Sequence, residues 1–114
     1  MIEVNSENWD EEVVGSEKPV LVNFWAKWSP SCKKIDAYLE EFSREYDDKL
    51  KFTRLNVDEN IVLRVKNRVM VTPTIIIFYK GIPVRGIPGP APKHIIKRKI
   101  EKGIRAVEAW KKKH

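Results

Sequence analysis

Immediately after Pro19 the chain runs Val-Leu-Val-Asn-Phe-Trp-Ala, residues 20–26, with a single polar residue, Asn23, interrupting it. A strand exposed on one face alternates polar and apolar positions, whereas a near-continuous apolar run belongs to a strand covered on both faces. Any fold for this chain must therefore supply covering layers on two sides. Downstream, Ile35, Tyr38, Leu39, Phe42 and Tyr46 recur at helical spacing and predict an amphipathic helix over about residues 31–47. Residues 50–57 read as a second long strand, and residues 59–67, with Ile61, Val62 and Val65, as a short helix. The β-branched run 74–79 is a third strand, Lys80-Gly81 a hairpin turn, and 82–87 its partner, placed at a sheet edge by Pro83. A stiff Pro88-Gly89-Pro90-Ala91-Pro92 connector leads to a last helix whose inner face carries Ile96, Ile100, Val107 and Trp110. Ahead of the central strand, residues 2–4 form a short strand, and Ser6 caps a helix bearing Trp9, Val13 and Val14. From the central strand onward the order βαβαββα joins a parallel half, linked by helical crossovers, to an antiparallel hairpin half. It specifies an α/β fold with a central mixed β-sheet flanked by helices.

Length and charge narrow the choice further. With 114 residues there is room for one core, so residues 1–114 are read as a single domain with a basic helical extension over about 103–114. The net charge of +6 is concentrated at one end, since residues 93–114 hold nine Lys or Arg against Glu101 and Glu108. Basic residues near a helix C-terminus complement its dipole, and this tail is read as a solvated helix end before it is read as a nucleic-acid surface. The longest uncharged run, residues 69–79, is well short of the roughly 20 apolar residues of a membrane span. An acidic first segment differs from the basic-then-apolar pattern of an export leader, which gives the cytoplasm as the expected location. Cys32 is the single cysteine, so no disulfide forms within the chain. Nothing calls for a metal or a cofactor.

The strand 20–26 leads into Lys27-Trp28-Ser29-Pro30-Ser31-Cys32-Lys33, and together these residues resemble the thioredoxin signature, in which Phe-Trp-Ala is followed by Trp-Cys-x-x-Cys-Lys at a helix start. Val71-Thr72-Pro73-Thr74 is similar to the family's cis-proline loop, and the resemblance spans about residues 1–102. It implies a thioredoxin fold, exchange chemistry with protein thiols and disulfides, and a groove for extended peptide segments formed by Trp28, Pro30, Thr72 and Pro73. It also implies a thioredoxin reductase as partner of any parent protein with cysteine at position 29.

Three positions depart from the family pattern. Ser29 stands where the family has its nucleophilic cysteine, leaving Cys32 in the place of the resolving one. A serine hydroxyl needs an adjacent base to attack, and neither His94 nor His114 lies in a motif that would bring one. Asn23 replaces a buried aspartate that relays protons, and asparagine cannot titrate. Arg54 stands where a buried lysine is frequent and, without the aspartate, is expected on the strand surface. Two functions follow. One is a thiol–disulfide oxidoreductase lineage in which this chain, by natural loss or laboratory replacement at Ser29, lacks dithiol turnover. The other is a non-catalytic module that keeps the peptide groove.

Overall fold

In the computed structural model, which describes residues 1–114, five strands form one sheet: β1 (Ile2–Glu3), β2 (Val20–Trp25), β3 (Lys51–Asn56), β4 (Thr74–Tyr79) and β5 (Ile82–Pro88), in the order β1-β3-β2-β4-β5. β3 lies parallel to β1 and β2, while β4 runs antiparallel to both β2 and β5. From β2 onward the element order is βαβαββα, completed by α1 (Pro30–Glu45), α2 (Ile61–Lys66) and α3 (Lys93–Lys113). The uninterrupted apolar run thus sits at the centre of a mixed sheet, and residues 20–24 of β2 are buried on both faces.

Alternation along β2 divides the core into two. Val20, Val22 and Phe24 join Val13, Leu63 and Phe78 on one face, where Trp9 packs edge-on against Phe78 at 5.3 Å between ring centres. Leu21 joins Ile35, Leu39 and Phe42 of α1 and Ile96 and Ile100 of α3 on the other. Close approach of α3 to the sheet depends on Gly103, where a Cβ would lie 2.6 Å from the tip of Ile77. The hairpin between β4 and β5 turns on Lys80 and Gly81, both with positive φ (52° and 81°), as a right-handed two-residue hairpin requires. β5 is an edge strand, as Pro83 indicated, and its register slips between Ile77 and Phe78, leaving Val84 as a bulge.

The segment before β2 differs from expectation. Ser6 caps no helix: its backbone N–H donates to Asn60 Oδ1, while the Asn5 side chain accepts from the N–H groups of Glu7 and Asn8. The following turn, Asp10–Val14, is π-helical; it buries Val13 and leaves Val14 exposed.

At the far end of α1, Tyr46 donates its hydroxyl to Glu101 Oε2 of α3 at 2.6 Å, and Lys97 pairs with Glu45 across the same seam. Burial, then the hydrogen bond to Glu101 and its charge, push the Tyr46 phenol well above the ordinary tyrosine range. The folded state favours the protonated phenol, so this contribution is complete below the unfolded value of about 10 and is lost as pH rises beyond it. Tyrosinate absorbance of the native protein at pH 11 should accordingly be unchanged by Tyr46→Phe. A drop in absorbance in that variant would show that Tyr46 ionises freely.

Candidate functional site

The covering of β2 ends at Trp25, and the loop that follows opens the surface where the expected site residues meet. Trp28 is 64% exposed and donates its indole N–H to Asp58 Oδ2 at 2.8 Å, which anchors the loop to the segment after β3. Ser29 is the N-cap of α1, Pro30 occupies the first helical position, where its missing N–H costs nothing, and Cys32 lies in the first turn, 3% exposed. Facing them is the loop before β4, brought there by the pairing of Phe24 with Thr74, and its Thr72–Pro73 peptide bond is cis. Pro73 is buried and Thr72 half-buried.

Ser29 makes no side-chain cap to its own helix. Its hydroxyl donates instead across the groove to the backbone carbonyl of Thr72, at 3.2 Å. The Thr72 carbonyl thus accepts one hydrogen bond from within the domain, while its N–H finds no acceptor there and Oγ1 is buried without a partner. No acid, base or cation hydrogen bonds to Ser29 Oγ. His94 lies beside Glu41, Phe42 and Glu45 on the α1–α3 seam, and His114 stacks on Trp110 at 4.5 Å. No cluster of His, Cys, Asp or Glu suits a metal ion.

Sequence and fold agree on kinship. A family model described as Thioredoxin matches residues 1–102. The chain belongs to the thioredoxin family. It is 40% identical over 101 residues to a chloroplastic M-type thioredoxin of Pisum sativum, covering 89% of this chain and 59% of that protein. It is 38% identical over 104 residues to a thioredoxin of Staphylococcus haemolyticus, covering 91% of this chain and 98% of that one. A thioredoxin of Griffithsia pacifica is 33% identical over 99 residues, with 87% and 91% covered. The chain thus spans little more than half the length of the plant relative and nearly the whole of the bacterial one.

Two features of this thioredoxin-family site were not read from the sequence. Ile61, Val62 and Val65 mark α2 as expected, but they point outward, and with Met70 and Val71 they add an exposed apolar surface to the chain leading into Thr72. In α2 only Leu63 is buried. The second is an ion-pair network beside the first turns of α1. Asn23, fully buried, donates its amide N–H to Asp36 Oδ1 at 2.8 Å, and Arg54, its neighbour in register on β3, donates to Asp36 Oδ2 at 2.7 Å. Arg54 also stacks on Trp25 at 4.2 Å and reaches Glu3 at 3.6 Å. This corrects the expectation of a plain strand-surface arginine: a carboxylate supplied by the helix meets the residue that replaced the strand's own. Asp36 lies four residues after Cys32, on the same stripe of α1.

Removing that carboxylate would leave a buried amide without an acceptor. Asp36→Ala should lower stability by about 1–3 kcal/mol in urea unfolding, the usual cost of a stranded buried polar group. The double variant Asn23→Ala/Asp36→Ala should lose less than the sum of the two single losses; strict additivity would mean that the two side chains do not depend on each other.

Proposed function

We propose that this chain keeps the protein-binding role of the thioredoxin lineage and has lost its dithiol turnover. Protein segments carrying thiols or disulfides would lie extended in the groove between Trp28 and Pro30 on one side and Thr72 and Pro73 on the other. The observation that carries this reading is the Ser29–Thr72 hydrogen bond. A hydroxyl engaged with a neutral carbonyl, with no base beside it, has no route to becoming a nucleophile at neutral pH.

Cys32 alone supports only half of an exchange cycle. Attack by its thiolate on a partner's disulfide would form one mixed disulfide and release one partner thiolate, and this chain has no second thiol to break the new bond. Burial of Cys32 slows even that first step. The exposed apolar residues of α2, with Met70 and Val71, support peptide binding as the retained activity. A reducing compartment, the cytoplasm in our reading, suits a lone thiol. Separately, no helix of the chain is long and apolar enough to cross a membrane.

The test is insulin reduction with a dithiol donor. The unmodified chain should give no turnover above the donor alone, and Ser29→Cys should turn over, with a thioredoxin reductase as its candidate electron source. Equal turnover by the two forms would defeat the reading.

A further inference from the structure

The pole opposite Ser29 carries a second concave surface. In the antiparallel pairing of β2 with β4, Phe24 faces Thr74 and Val20 faces Phe78. The Lys80-Gly81 hairpin therefore lies at the entry end of β2, roughly 17–20 Å, one strand length, from the Ser29 loop. There the last turns of α3 pass beside β5 and leave a cavity of about 320 Å³ lined chiefly by Tyr79, Ile82, Pro83, Val84, Val107 and Trp110. The Trp110 ring is held edge-on to Tyr79 at 5.7 Å, yet Trp110 is 48% exposed and Ile82 67%. This is a preformed apolar cleft with one aromatic wall, a size and character typical of the smaller ligand sites. The match to the thioredoxin family model ends at residue 102, so Val107 and Trp110 come from beyond it.

The rim of the cleft is basic. Lys111 Nζ lies 5.2 Å and Lys80 Nζ 5.6 Å from the centre of the Tyr79 ring. The β4–β5 hairpin contains no acid, and none follows Glu108. Glu108 pairs with Lys49, Glu101 stands ten residues, about 15 Å of helix, before Lys111, and the acidic turn Asp10–Val14, which touches the hairpin through Val14 beside Gly81, commits Glu12 to Lys51; Asp48 is the acid left beside Lys111, against Lys80, Lys111, Lys112 and Lys113. An added β-strand is a poor occupant, because the β5 edge is blunted by Pro83, which has no N–H, and by the bulge at Val84. The cleft takes side chains.

We propose that this cleft is a docking site for an acidic protein segment, which inserts a large apolar side chain against Trp110 and Ile82 while its carboxylates meet Lys80 and Lys111. Its distance from Ser29 allows both surfaces to be occupied together, so a partner held at one can present a second segment to the other.

The experiment selects a display library of random short peptides against the full chain at low salt and titrates the enriched peptides by fluorescence anisotropy. Enriched peptides should place Asp or Glu around Leu, Phe or Trp. Their affinity should fall at least about tenfold in Trp110→Ala, in Ile82→Ser and at high salt, and stay unchanged in Trp28→Ala. Both cleft variants alter exposed side chains, and a thermal melt by circular dichroism checks that each folds; if one does not, the other carries the comparison. The proposal is overturned if no peptide is enriched, if the enriched peptides lack acidic residues, or if they bind both cleft variants as tightly as the parent. It is also overturned if Trp28→Ala abolishes their binding. Vesicles of equimolar phosphatidylcholine and phosphatidylglycerol provide the last arm: binding to them that Trp110→Ala removes would assign the surface to lipid and overturn a peptide site.

Discussion

Burial of β2 on both faces is the constraint from which the rest of the structure follows. Each large apolar side chain taken fully out of water contributes about 1.5–3 kcal/mol, and β2 sends Leu21 to one side of the sheet and Val22 and Phe24 to the other. Helices must then lie on both faces, and both long edges of β2 must be paired, with β3 and with β4. The strand's protected length ends at Trp25. What emerges there is a loop that α1 must immediately restart, and the Phe24–Thr74 register sets the Thr72–Pro73 loop against it. The site needs no device of its own to assemble it, because the groove is what lies between two loops whose positions the central strand has already determined.

The same strand contains one polar residue, and the network around it shows how an α/β core accommodates an amide. Asn23 cannot be left unpaired at zero exposure without a cost of about 1–3 kcal/mol. Asp36 supplies an acceptor for its N–H, and Arg54 neutralises Asp36, while Oδ1 of Asn23 remains without a partner. Asp36 and Arg54 are each about one-quarter exposed, so the ion pair is screened and worth little as a source of stability. Its consequence is positional. It ties α1 to β3 one helical turn beyond Cys32, and through Glu3 it reaches β1 as well.

Periodicity explains which parts of this arrangement could be read in advance. Residues 20–26, the helical spacing from Ile35 to Tyr46 and the β-branched run 74–79 are long enough for their period to show, and all became elements within a few residues of the expected ends. Short segments carry no such signal. Ser6 and Asn5 are both competent caps, yet no side chain caps the Asp10–Val14 turn, and Asn5 instead closes a local turn onto the N–H groups of Glu7 and Asn8. Ile61, Val62 and Val65 look like the inner face of a helix, but α2 has six residues, and over so short a span the pattern does not distinguish inward from outward. Arg54 and Asp36 are separated by 18 positions in the chain and by a change of element, so their pairing is a tertiary fact with no local trace. The Ser29–Thr72 bond spans 43 positions and was equally hidden, although both residues were identified as site residues.

That bond also bears on what serine does at position 29. An extended peptide lying along Thr72 would pair with its backbone, donating to the carbonyl and accepting from the N–H. Here the N–H is free, but the carbonyl already accepts from Ser29. A neutral hydrogen bond of this kind is worth about 0.5–1.5 kcal/mol net, comparable to the bond a peptide N–H would make beside it. The carbonyl oxygen has two lone pairs, so an incoming peptide N–H would share it with the Ser29 hydroxyl, which, at 7% exposure, has few alternative partners. Ser29 is therefore a link between two elements as well as the N-cap of α1: its buried hydroxyl ties the start of the helix to the loop before β4, and the Thr72 N–H is the backbone group there that keeps no partner within the domain.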